Sequence, residues 1–409
     1  ATRWATTLAP RRAPSSIAAC QKPTRTSAEE IIPLEDLTRA KRIVVKVGSN
    51  VLTARRGLNT AVIDALTRQI CHLIDDGRQV LLVSSGAMAA GMKTLQLDRR
   101  PESIPNRQAI AAVGQSGLMH TYEQEFARYG KHVAQILLTA EDLNIRKRYL
   151  NARNALNTLL SWRVVPIINE NDTIMVEEIK LGDNDNLSAM IALLMDADAL
   201  INLTDIGGLF TKDPRTEPDA VLIPEVAAIG KRIESYAGGI AGALGTGGMQ
   251  SKIRAAKKLT GAGVPMVIAQ GDKTDILLRL MRGERHGTYF VPNTHKLNRR
   301  KCWIAYTLKP RGALSLDEGA ARAIVKKGKS LLPSGIVAVE GNFSHGAAVV
   351  FKDRAGRELG VGLINYNAAE TRAIMGLQTS QIAGRLGAKP YDEVVHRNNL
   401  VITAGINGG

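Results

Sequence analysis

Arg42-Ile43-Val44-Val45-Lys46-Val47-Gly48 is a run rich in β-branched residues without regular polar alternation, the pattern of a strand buried on both faces of a parallel sheet. After a glycine-containing turn, Val62, Ile63, Leu66, Ile70, Leu73 and Ile74 recur at helical spacing, with Asn59 as the N-cap and Gly77 as the stop. A second apolar strand, Val80 to Val83, follows at once. Strand, helix and strand make a βαβ unit, whose crossover is right-handed.

The same rhythm continues outward from this unit. The pattern predicts helices over 108–127 and 149–160 and from about 187 and 249, with strands over 132–138, 164–168, 199–203 and 265–269. Such alternation predicts an α/β fold, a mostly parallel sheet sandwiched by helices, with ligands at the carboxyl ends of the strands. Around 293–301 a basic stretch leads into shorter segments with frequent Gly and Pro. Strands over 337–339, 347–351 and 359–364, with a helix over 318–326, predict a small β-rich C-terminal domain. The expected organisation is a leader over 1–38, a first domain over 39–298 and a second over 299–409.

Composition agrees with two folded units plus a tail: 409 residues, 44% hydrophobic, 22% charged and only 4% aromatic. Cys20, Cys71 and Cys302 are odd in number and far apart, which argues against a disulfide framework or a zinc site. The longest apolar run, Leu187 to Leu203, is interrupted by Asp196 and Asp198 and cannot span a bilayer, so no membrane partner is expected. The net charge of +16 favours polyanionic partners, including nucleotides and nucleic acid. From Arg300 onward 15 Lys and Arg stand against 8 Asp and Glu, so the second domain carries much of that excess. Ala1 to Ser27 holds five basic residues and no acidic one, as an organelle transit peptide does; a disordered leader or a start placed too far upstream explains it equally.

Several segments carry chemistry. Lys46 in an apolar strand is costly unless an anion meets its ammonium or the strand is an edge from which it snorkels. Ser84-Ser85-Gly86-Ala87 ends the second strand and opens a helix, leaving backbone N–H groups for an anion or small residues for close packing. Ile168-Asn169-Glu170-Asn171-Asp172 and Gly182-Asp183-Asn184-Asp185-Asn186 can hold an ammonium and orient lysines, or form turns and caps. Thr204-Asp205 closes another strand. Gly245-Thr246-Gly247-Gly248-Met249-Gln250-Ser251-Lys252 is a glycine loop entering a helix, suited to phosphate or to a linker role, and it lacks the Gly-Lys-Ser/Thr ending of a Walker A loop. No Ser-His-Asp order or dinucleotide fingerprint accompanies these segments, which leaves phosphoryl transfer.

In order and spacing, VVKVGSNVLT, VSSGAMAAG, INEND, GDNDNLSA, LTDIGGLFTKDPR and GTGGMQSK resemble the glutamate 5-kinases of the amino-acid kinase family, which end in a PUA-like domain. The resemblance runs from about Arg42 to the C-terminus. It implies that Lys46 and Lys252 hold the transferring phosphoryl from opposite sides, with Asp185 steadying both. It implies glutamate binding by Ser85, Asp172 and Asn184, with Asn169 nearby. ATP would contact Lys46, Thr204, Asp205, Thr246, Gly247, Gly248, Met249, Gln250, Ser251 and Lys252. Mg²⁺ would be carried mainly by ATP, with no protein ligand assigned.

The implied product is glutamyl 5-phosphate, the first intermediate of proline biosynthesis. Proline is the implied feedback inhibitor, a homo-oligomer (dimer or tetramer) the implied assembly, a separate glutamyl phosphate reductase a partner, and RNA a further ligand of the PUA-like domain. The expected location is cytoplasmic, or mitochondrial or plastid should the leader act as a transit peptide. Asn50 departs from the family pattern, which often has Ser or Thr there. Competing readings are a kinase of acetylglutamate or aspartate, and an RNA-binding protein acting through its C-terminal domain.

Overall fold

The computed structural model describes residues 35–54, 57–174, 184–238, 248–293 and 299–403. Among them, β1 (Arg42–Val47), β2 (Gln79–Val83), β3 (Val133–Leu138), β4 (Val165–Glu170), β5 (Ala199–Thr204), β6 (Glu225–Val226), β7 (Met266–Gln270) and β8 (Thr288–Phe290) form an eight-stranded sheet ordered β3-β4-β2-β1-β5-β7-β8-β6. Neighbours are parallel except β7 with β8. The α/β expectation therefore holds, and β1 lies well inside the sheet, so Lys46 is not a snorkelling edge residue.

The helices that matter are α1 (Thr60–Asp75), α2 (Ala87–Thr94), α3 (Ile104–Ala127), α4 (Arg146–Ser161), α5 (Asn184–Met195) and α6 (Met249–Gly261). Asn59 caps α1, its side chain accepting from the Val62 N–H, and Gly77 turns the chain out of the helix at φ +83°. Successive side chains of a strand point to opposite faces. Ile43, Val45 and Val47 accordingly share a core with Leu66 and Ile70 of α1 and Leu118 of α3. Val44 instead packs with Leu187 to Met195 of α5 and Ile253 and Leu259 of α6. Lys46 has the parity of Val44 and so enters the α5 side.

α5 is buried along almost its whole length, both termini included. An apolar helix with no wet face must be enclosed on several sides. One enclosing wall is the sheet, another α6, and a third the π-helical turn Trp303–Thr307. Trp303 donates its indole N–H to the Leu143 carbonyl at 3.1 Å and meets Tyr149 edge-on, while the Arg146 guanidinium lies 5.0 Å from the Trp303 ring.

Past this turn, β9 (Gly312–Leu316), β10 (Ile336–Gly341), β11 (Ala348–Lys352), β12 (Glu358–Leu363) and β13 (Leu400–Ile402) form a second sheet ordered β10-β9-β11-β12-β13. α7 (Glu318–Lys327) sends Ile324 into its core, beside Leu314, Phe351 and Tyr366. Ala348, Val361 and Val401 face the other way and join the core around α5. A basic stretch was the sequence cue for a boundary near 298, which lies outside the described residues. The apolar residues Trp303 and Ile304 just after it belong to the first core. The leader expected through residue 38 ends earlier in folded structure: Glu35–Thr38 is a helical turn, Leu37 is buried, and Asp36 accepts from the Tyr289 hydroxyl at 2.8 Å. An apolar anchor, Leu37, ten residues past the basic stretch that ends at Ser27, accounts for the difference. No helix among the described residues is long and apolar enough to cross a membrane.

Candidate active site

Asp185 stands in the first turn of α5, only 1% exposed, and its two oxygens divide the surrounding donors. Oδ1 meets Lys46 Nζ at 2.6 Å and accepts from Asn202 Nδ2 at 2.9 Å. Oδ2 meets Lys252 Nζ at 3.2 Å and accepts from the Ser251 hydroxyl at 2.5 Å. The structure thus joins residues from β1, β5, α5 and α6 around one carboxylate. Lys46 and Lys252, far apart in sequence, reach it from opposite oxygens.

Both lysines are buried, at 4% and 5% exposure. Burying an ion costs several kcal/mol even after relaxation, so it persists only where an opposite charge compensates. Burial disfavours the ionised form of Asp185, yet Lys46 and Lys252 outweigh it and hold the carboxyl far below the usual range. Burial, seconded by Lys46, lowers the proton affinity of Lys252 despite Asp185. A phosphoryl group arriving here would relieve that cost, which is the electrostatic form of transition-state stabilisation.

The second set of residues gathers at the ends of β2 and β4. Asn184 Nδ2 lies 3.0 Å from Ser85 Oγ, 3.0 Å from Asn169 Oδ1 and 3.1 Å from the Ser84 carbonyl. Asn169 donates in turn to Gln115 Oε1 of α3 at 2.8 Å. Asn184 Oδ1 is buried and finds no hydrogen-bond partner among the described residues. Asp172 follows β4, and burial raises its carboxyl to about 6, with Arg100 opposing. An amide oxygen beside a hydroxyl-bearing turn, with a carboxylate two residues past β4, suits a ligand that carries both an ammonium and carboxylates.

On the third side Thr204 Oγ1 donates to Asp205 Oδ1 at 3.0 Å and Asn50 Nδ2 donates to Asp205 Oδ2 at 2.9 Å. Asn50, unusual in the sequence pattern, is thereby tied to Asp205. Gly248 precedes α6, with Met249, Ser251 and Lys252 buried and Gln250 exposed in its first turns. Thr246 and Gly247 of the expected ATP loop lie outside the described residues. Among those residues no group of three or more His, Cys, Asp or Glu could hold a metal ion.

Two participants were missed from sequence. Gln115 looks like one more polar position of a long helix. Asn202 sits in Ala199-Leu200-Ile201-Asn202-Leu203-Thr204, and a lone amide in a buried apolar strand at the parity of Lys46 was the available signal. Its Cα pairs with that of Lys46 across β1 and β5.

The amino acid kinase family model matches residues 41–270 and the PUA domain model residues 312–386. The glutamate 5-kinase of Moorella thermoacetica is 50% identical over 367 residues, 90% of this chain and 97% of its own length. That of Geobacter sulfurreducens is 50% identical over 90% of this chain and 98% of its own length. That of Caldanaerobacter subterraneus subsp. tengcongensis is 51% identical over 88% and 97% respectively. Among solved structures, a UMP kinase from Bacillus anthracis covers 62% of this chain and 97% of its own, with a TM-score of 0.44 at 16% identity. At half identity across nearly the full length of the three glutamate 5-kinases, with both domain models matched in order, the chain belongs to the amino acid kinase family and, within it, to the glutamate 5-kinases.

Proposed function

We propose that the chain transfers the γ-phosphoryl of ATP to the side-chain carboxylate of glutamate, giving glutamyl 5-phosphate for proline synthesis. The observation that carries this reading is the meeting of Lys46 and Lys252 on Asp185, next to the Ser85, Asn169 and Asn184 cluster. In-line transfer between two oxygens needs little covalent help from the protein, so positioning and charge neutralisation do most of the work. Lys46 and Lys252 would share the oxygens of the moving group. Asp185 keeps both ammonium groups aimed, and the Ser85 turn with Asn184 places the acceptor. Mg²⁺ is proposed to arrive on the triphosphate, where it screens charge between the phosphates.

The test traps the acyl phosphate with hydroxylamine. Glutamate is expected to give hydroxamate in an ATP-dependent manner, while acetylglutamate and aspartate at equal concentration give little; equal yield from either rival acid would overturn the substrate assignment.

The raised carboxyl of Asp172 gives a pH prediction. Its protonated form cannot pair with the α-ammonium of glutamate, so kcat/KM for glutamate is expected to fall as pH drops through about 6. Asp172→Asn should lose that acid limb and bind glutamate weakly at every pH. An unchanged profile in the variant would remove Asp172 from the ammonium site.

A further inference from the structure

We infer that Asn202 is a positioning residue of the phosphoryl-transfer site, required there because it donates to Asp185 while carrying no charge. The inference rests on the reading of Lys46, Asp185 and Lys252 as that site.

Stability alone does not explain an amide at this point. Asn202 is fully buried in β5 between Ile201 and Leu203, and its Oδ1 has no hydrogen-bond partner among the described residues. An unpaired buried carbonyl is a cost that an apolar side chain in the same strand would avoid. What the amide does provide is the 2.9 Å bond to Asp185 Oδ1, the oxygen that also meets Lys46. Because Lys46 and Asn202 pair across β1 and β5, the sheet register itself sets the geometry of that oxygen. Ser251 plays the matching part at Oδ2. Each oxygen of the carboxylate is therefore held by one neutral donor and approached by one lysine. The neutral pair fixes the carboxylate plane without competing for the positive charge that the phosphoryl group needs.

Neutrality is the specific element. A carboxylate at 202 would have nearly the same shape, but it would place a second negative charge beside Asp185, within reach of Lys46. Among the described residues, the ionisable groups that meet there are Lys46 on β1, Asp185 on α5, Lys252 on α6 and Asp205 after β5. Two carboxylates in contact with two lysines would neutralise the pair before substrate arrives, and would repel the transferring group. At low pH the two carboxyls would share one proton, and the protonated oxygen would again act as an uncharged donor.

The experiment uses the full chain carrying Asn202→Asp or Asn202→Leu, with folding checked by circular dichroism. Asn202→Asp is expected to lose about 100-fold in kcat near neutral pH, with KM for ATP and glutamate changed by less than about threefold. Its activity relative to the unsubstituted chain should recover as pH falls from about 8 to about 5.5. Asn202→Leu, which is without hydrogen bond or charge, should lose about tenfold in kcat at all pH values. A purely structural role would move melting temperature in both variants and leave the pH ratio flat. Asn202→Asp within tenfold of the unsubstituted chain, a flat ratio, or a fully active Asn202→Leu would each overturn the inference. Asp185→Asn run alongside separates the two levels: if it too keeps full activity, the reading of the site fails, and if it alone is inactive, only the role of Asn202 does.

Discussion

Asparagine in place of Asp185 is expected to lower kcat by about 10³-fold, a loss of the size seen when a principal electrostatic group leaves an enclosed site. Each oxygen of Asp185 accepts from two donors, Lys46 and Asn202 on one and Lys252 and Ser251 on the other. An amide has one NH₂, so whichever way it turns it points a donor at an ammonium group. Ser251 can rotate to accept, but neither lysine can. The buried ammonium groups then lose their compensating carboxylate, and breaking a buried pair in this way costs about 3–5 kcal/mol of stability. Thermal unfolding should show that loss, and the hydroxamate assay on the folded fraction should show the fall in kcat. Activity within tenfold of the unsubstituted chain would mean that the lysines do not depend on Asp185. The sign of the pH effect is also set. Because the carboxyl is held well below its ordinary range, its stabilising contribution is complete above about pH 4 and disappears only as strong acid protonates it.

How much of this was legible beforehand differs between backbone and site. The β1 run, the helix capped by Asn59 and the strand at Val80 are local patterns, and local patterns survive folding because sheet and helix periodicities are short. Strand order is not local: nothing in the sequence of β5 states that it lies between β1 and β7. The antiparallel β8 and the two-residue β6 were missed because each is too brief to display a period. Trp303 and Ile304 fall within the range assigned to the second domain, 299–409, although these two large apolar residues enter the first core. At the site, Lys46, Asp185 and Lys252 could be named singly, each with a bland alternative. Read from the residues alone they stayed separate; the family resemblance implied a unit, and the convergence on one carboxylate that the structure shows is a fact of three dimensions. Asn202 lay in full view and was passed over, since one amide in an apolar strand has no meaning until its neighbour across the sheet is known.

The second large effect is expected where two helices touch backbone to backbone. α2 leaves the Ser84-Ser85-Gly86 turn and crosses α3 at Gly91 and Gly114. A methyl group built on Gly114 would lie 1.8 Å from the Ala87 carbonyl oxygen and 2.2 Å from the Gly91 nitrogen, both backbone atoms that cannot swing aside. Gly114→Ala must therefore push α2 away from α3. Alanine gains about 1 kcal/mol over glycine in a helix interior, but overpacking of this kind costs about 1–3 kcal/mol and rises further when the opposing atoms are main chain. We expect a net loss of about 2–3 kcal/mol in unfolding experiments. Because α2 carries Ser85 at its entrance, KM for glutamate should also rise, more than KM for ATP. Gly117 supplies the control on the same helix, since a methyl group there meets nothing within 4 Å. Gly117→Ala is expected to stabilise the chain by about 0.5–1 kcal/mol and leave both KM values alone. If the two variants were equally stable, the close crossing of α2 and α3 would not be what holds the Ser85 turn in place.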